Sequence, residues 1–266
     1  MAEFTAKDVQ ALRQSTGAGM MDAKKALEEA GGDADKAKKI LREKGLAKAD
    51  SRDDRENSEG AIAFATGSDT VVLVELKCET DFVAKSEQFI KQTQALADAY
   101  ATGGQAGLDG LKDDVDTLKV TLKENIDVGR TAKIDLQPGQ VVDTYLHRQE
   151  GRGVNGVIVV LSGGNPDIAH DVAVHVAFTK PEYLRREEIP AEAVEEERQT
   201  LTKISQAEGK PEAALPKIVE GRLNGWYKER VLLDQPFVRD EKQTIAQLVA
   251  GADAELVGYA QIFLGG

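Results

Sequence analysis

Cysteine is nearly absent from this sequence: Cys78 is the single example in 266 residues. One thiol forms no intrachain disulfide and supplies no cysteine-rich zinc site. Its position in an apolar run predicts a buried, inert thiol in a protein of a reducing compartment. Long apolar runs are also missing. The cleanest, such as VIVVL at 157–161, are strand-sized, far below the roughly 20 residues of a membrane span. Glu3, Lys7, Asp8 and Arg13 interrupt the first twenty residues, so no signal-peptide core is expected there. Positive charge is in short supply, Lys+Arg 34 against Asp+Glu 46, for a net charge of -12. Such a balance repels phosphate backbones and acidic lipid, so neither direct nucleic-acid binding nor membrane binding is expected. These absences together predict a soluble, cytoplasmic protein.

Chemical signatures are equally sparse. There is no P-loop and no Gly-x-Ser-x-Gly elbow. His170 and His175 lie five apart, not at the i,i+4 spacing of a metal pair, and the acids 195–197 read as a solvated helix face. Gly151, Gly153 and Gly156 satisfy G-x-G-x-x-G, but a strand follows where a phosphate site needs a helix N-terminus, so a hairpin loop over 150–156 is the expectation. No cofactor, metal or catalytic residue is expected. The chain has binding surfaces rather than an active site.

What is present is periodicity. Thr5 with Asp8 makes a capping-box start for a helix carrying Val9 and Leu12. A second helix spans about Met20 to Ala30, with Ala23, Ala26 and Leu27 on one stripe, and a third runs from Asp33 to Lys44 and stops at Gly45. Met20 and Met21 stand at the mouth of a glycine-rich loop, where they either fill the small core or form an adaptable contact surface. Residues 47–58 are charged and aperiodic and read as a linker.

The period then changes to two. Residues 61–65 and 70–76 predict a hairpin, followed by a helix from about Ala84 or Ser86 to Tyr100 and a loose stretch over 102–107. The plan recurs with strands at 141–147 and 157–163 and a helix at 166–179, which predicts an α+β core of two similar subdomains with antiparallel sheets, 59–138 and 139–266. Two helices at 191–208 and 212–233, separated by Gly209, Lys210 and Pro211, predict a helical hairpin inserted over about 189–233, with Val194, Leu201 and Ile204 facing Leu215, Ile218, Val219 and Leu223. It reads either as a projecting arm or as a cover on the core. Thr80, Asp81, Phe82 and Val83 occupy the joint between the first hairpin and its helix, where side chains are usually small and polar. Phe82 is therefore either tucked into a core or held out for a partner.

The run LRQSTGAGMMDAKKALEEAGGD at 12–33, with VELKCETDFVAKSEQF at 74–89, closely resembles bacterial elongation factor Ts, the guanine-nucleotide exchange factor for elongation factor Tu. The likeness continues through HVAFTKPEYL at 175–184, EGRLNGWYKE at 220–229 and QPFV at 235–238. That resemblance implies a ubiquitin-associated-like three-helix module at 1–46, the linker, the two-subdomain core, and an antiparallel coiled-coil hairpin as the insert. It implies that Asp81 and Phe82, flanked by Thr80 and Val83, are pushed between helices of elongation factor Tu beside its Mg²⁺ site. It further implies that Arg13, Met20 and Met21 hold another face of the GTPase, that Ile126 and His147 add contacts, and that self-association remains open. A scaffold or chaperone-like binder of a GTPase is the alternative from another class.

Overall fold

The structure, a computed structural model, describes residues 4–50 and 54–265. It opens on three helices, α1 (Ala6–Thr16), α2 (Met20–Glu29) and α3 (Ala34–Asp50). The Thr5 hydroxyl accepts from the Asp8 N–H and the Asp8 carboxylate accepts from the Thr5 N–H, the reciprocal cap read from the sequence. Val9, Leu12, Ala23, Ala26, Leu27 and Ala37 form the core of the bundle, with Ile40 and Leu41 against it. α3 runs through Gly45 to Asp50, so residues 47–50 of the expected linker are helical. One glycine costs a helix only about 1 kcal/mol, too little to stop a run rich in Lys, Ala, Leu and Glu. Residues 51–53 of that linker lie outside the described residues.

Strands β1 (Glu59–Thr66) and β2 (Thr70–Cys78) form the first hairpin, and β3 (Asp127–Asp135) pairs with the far side of β2. Between β2 and β3 lie α4 (Asp81–Ala84), α5 (Glu87–Gly110) and α6 (Lys112–Leu122). The helix continues across the stretch read as loose, broken at Gly104 (φ 57°, ψ -142°), a conformation open to glycine. The second half repeats the plan with β4 (Gln140–Gln149), β5 (Arg152–Gly163) and α7 (Pro166–Thr179). α8 (Ala191–Ala207) and α9 (Leu215–Arg230) follow, then β6 (Pro236–Phe237), β7 (Asp240–Thr244), α10 (Ile245–Gly251) and β8 (Ala254–Phe263).

Strand alternation explains the layering. On β2, Val72, Val74 and Leu76 pack with Phe89, Leu96 and Ala97 of α5, while Val71 and Leu73 turn to the other face and meet Ile158, Val160 and Ile262. On β5, Val157, Val159 and Leu161 turn instead toward Val172 and Val176 of α7. The architecture is α+β: N-terminal helices and two sheet-containing subdomains that share an inner apolar layer and carry helices outside. All the strand ladders are antiparallel, and the sheets meet where Ile62 of β1 pairs with Gly153 of β5.

That meeting explains the glycine pattern. The loop expected over 150–156 is a two-residue turn, Glu150 and Gly151, and Gly153 and Gly156 lie inside β5. A Cβ on Gly153 would stand 2.2 Å from the Ile62 carbonyl oxygen, and one on Gly156 2.7 Å from the Leu73 side chain. These two glycines let the subdomains approach, and the segment leads into a strand with no helix N-terminus to bind phosphate.

α8 and α9 form the helical hairpin. Leu223 and Tyr227 pack with Val194 and Leu201, whereas Ile204, expected inside, is 44% exposed. A parallel bridge between Tyr183 and Val231 closes its base, and Leu232 already belongs to the core beneath α7.

Candidate functional site

The joint after β2 is held from below. The Cys78 thiol donates to the Thr80 carbonyl at 3.3 Å, and burial pushes its pKa up to about 12, so the thiol stays protonated and unreactive. Glu124, in the loop after α6, accepts from the backbone N–H groups of Glu79 (3.0 Å) and Thr80 (3.1 Å) and from the Thr80 hydroxyl. Glu79 in turn accepts from the Asn125 N–H at 2.6 Å. Two caps then fix the turn. The Thr80 hydroxyl accepts from the Val83 N–H at 3.4 Å, and the Ser86 hydroxyl accepts from the Phe89 N–H at 3.3 Å while donating to the Val83 carbonyl at 2.7 Å. With the backbone so tied, Ala84 is buried, Val83 packs against the core, and Phe82 points into solvent, 81% exposed.

Charge surrounds the exposed ring. The Lys85 ammonium lies 2.6 Å from Asp81 and 2.6 Å from Glu150, which reaches over from the β4–β5 turn. Its hydrogen bond holds the Asp81 carboxyl below the usual carboxylate range, and the same ammonium sits 5.5 Å from the centre of the Phe82 ring.

Met20 and Met21 open α2 beyond the left-handed Gly17 (φ 67°), and at 48% and 62% exposure they lie outside the small core. Arg13 is exposed in the last turn of α1. His147 is exposed on β4, its Nδ1 3.4 Å from the Tyr145 hydroxyl. Ile126 corrects its expectation. It has no exposed surface and lies in the first subdomain's core, so it offers a partner no side chain; it anchors the segment carrying Glu124 and Asn125.

Glu124, Lys85 and Glu150 are the groups that sequence reasoning missed. Asp81 and Lys85 stand at i,i+4, a spacing that signals an ion pair on one helix face. Nothing local marks Glu124, which lies 44 residues from Thr80. Among the described residues, no group of three or more His, Cys, Asp or Glu could hold a metal ion, and no helix is long and apolar enough to cross a membrane.

A family model described as Elongation factor TS matches residues 79–266. Elongation factor Ts of Renibacterium salmoninarum is 46% identical over 280 residues, and that of Micrococcus luteus 44% over 280, each alignment covering 100% of both chains. The chain belongs to the elongation factor Ts family. Elongation factor Ts of Kineococcus radiotolerans, 43% identical over 277 residues, again with 100% of both chains covered, extends the similarity through the N-terminal helices that precede the matched region. Within this member of the family the braced turn lies at the very start of that region.

Proposed function

We infer that this chain acts as the guanine-nucleotide exchange factor of elongation factor Tu, and that the turn Thr80–Val83 is the part that dislodges GDP. Asp81 and Phe82 press between helices of the GTPase beside its Mg²⁺, while Arg13, Met20 and Met21 hold a second face and His147 adds a contact from the other subdomain. The factor needs no catalytic group or nucleotide site of its own, because it competes with GDP for the state of the GTPase each prefers. Phe82 carries this assignment: a large apolar side chain 81% exposed on a backbone fixed by two caps and by Glu124 is set out for a partner.

Magnitudes favour several contacts. An acceleration of roughly four to five powers of ten requires about 5.5 to 7 kcal/mol of differential binding to the nucleotide-free state. Burying one Phe contributes about 2 to 3 kcal/mol. Exposed Met20 and Met21 suit the anchoring role, and linkage requires bound GDP to weaken the factor's hold by the same ratio.

The self-contained core of α1–α3 supports its reading as a ubiquitin-associated-like module, and the packing of Val194 and Leu201 on Leu223 and Tyr227 supports an antiparallel coiled-coil arm. The acidic balance of the chain, at -12, fits a cytoplasmic factor that meets a protein rather than RNA. Release of fluorescent GDP from elongation factor Tu, followed with catalytic amounts of this chain, tests the function. Acceleration with turnover supports it, whereas binding without acceleration makes the chain a scaffold.

A further inference from the structure

The tip of the β4–β5 hairpin carries a residue at odds with its conformation. Glu150 and Gly151 both have positive φ, 52° and 85°, as in the two-residue turn that favours Asn-Gly or Asp-Gly. A long side chain gains nothing locally from the left-handed region. What Glu150 does gain is Lys85, whose ammonium it meets at 2.6 Å. The three charges come from both subdomains, since Asp81 and Lys85 belong to the joint after β2 and Glu150 to the second hairpin. That hairpin is itself docked on the first subdomain: the Arg152 guanidinium donates to the Gly60 carbonyl at 2.7 Å and pairs with Glu59 at 2.8 Å. The tip is thus a firm platform beside an exposed turn.

We propose that Glu150 is a positioning residue for nucleotide exchange, holding Lys85, and through it Asp81 and the Phe82-bearing turn, in the geometry offered to the GTPase. This rests on the role assigned to Phe82 above. Asp81 and Lys85 sit four residues apart and restrain only each other. Glu150 ties that pair to the rest of the molecule, so less ordering is lost when the turn enters its partner.

Glu150→Asn separates positioning from folding. Asn tolerates positive φ better than Glu, so the variant melts at or above the parent temperature, while its shorter neutral side chain gives up Lys85. The second-order rate constant for GDP release from elongation factor Tu falls by about two- to fivefold, the scale of an exposed ion pair. Glu150→Gln, which keeps the length and removes the charge, falls similarly and carries the test should the Asn variant fail to fold. In a Lys85→Met background neither substitution has a further effect. Parent-like exchange by folded Glu150→Asn and Glu150→Gln, or equal losses with and without Lys85, overturns the proposal. A parent that does not accelerate release, or a Phe82→Ala variant as fast as the parent, strikes the assignment of Phe82 instead.

Discussion

The two subdomains share a plan, hairpin then helix, and differ in how strand meets helix. In the second, β5 passes to α7 through Gly163, Gly164 and Asn165, two glycines with φ of 79° and 73° and an N-cap that accepts from the Ile168 N–H at 3.1 Å. A Cβ on Gly163 would stand 2.6 Å from the Asp253 carbonyl oxygen, so this connection passes close to the residue before β8, and although exposed it carries no apolar side chain. In the first, the joint takes the longer path from Glu79 to Ser86, adding a helical turn, a second cap and an exposed Phe. A hairpin and helix can therefore be joined with far less. The additional turn buries little of Phe82 and is nonetheless braced by Glu124, Lys85 and Glu150, so what it adds is a surface rather than stability.

Substitutions sharpen that contrast, beginning with the largest effect. Phe89, fully buried under β2, and Phe82 are the same residue type seven positions apart in chemically opposite settings. Phe89→Ala should cost about 3 to 5 kcal/mol in urea denaturation, and Phe82→Ala within about 0.5 kcal/mol of nothing. Glu124→Ala comes next, because it strips the acceptor from the Glu79 and Thr80 N–H groups. A loss of about 1 to 3 kcal/mol is expected, with slower GDP release by the protein that remains folded. The caps differ in consequence more than in size: Thr80→Ala and Asn165→Ala should each cost about 1 kcal/mol, yet only the first should slow exchange.

A milder effect belongs to the second subdomain alone. His175 is fully buried on α7, its Nε2 2.9 Å from the Gln235 side-chain oxygen Oε1 and its Nδ1 accepting from the Val238 N–H at 3.3 Å. These partners suit the neutral ring, and burial holds its pKa below the ordinary imidazole value. The unfolded chain therefore takes up a proton that the folded chain resists, so this residue's contribution is complete above about pH 6.5 and declines as the pH falls below it. Denaturation midpoints on both sides of that value should show part of the parent's acid slope missing in His175→Gln.

Legibility followed the distance between interacting residues. The Thr5–Asp8 box, the strands β2 and β5 and the two helices of the hairpin were readable because caps, apolar runs and helical periodicity are each local to one element. Phe82 was legible as a question, and its exposure on the folded chain removes the core alternative. Helix ends were harder: α3 passes Gly45 because one weak residue does not outweigh favourable neighbours, whereas α5 breaks at Gly104, inside the stretch read as loose, and then resumes. Contacts brought together by the fold left no local trace, as with Glu124 under Thr80, Glu150 beside Lys85 and the glycines of β5 against β1. Ile126, given a partner contact by resemblance alone, is fully buried, because a likeness of sequence carries no statement of burial.

The exposed Phe82 is the centre of the account, and one pair of assays on Phe82→Ala tests it. GDP release from elongation factor Tu at saturating factor should slow by about 30- to 150-fold, the equivalent of the roughly 2 to 3 kcal/mol that burying the ring supplies, while thermal melting stays at the parent value. Release at the parent rate, or a variant that unfolds, would contradict it.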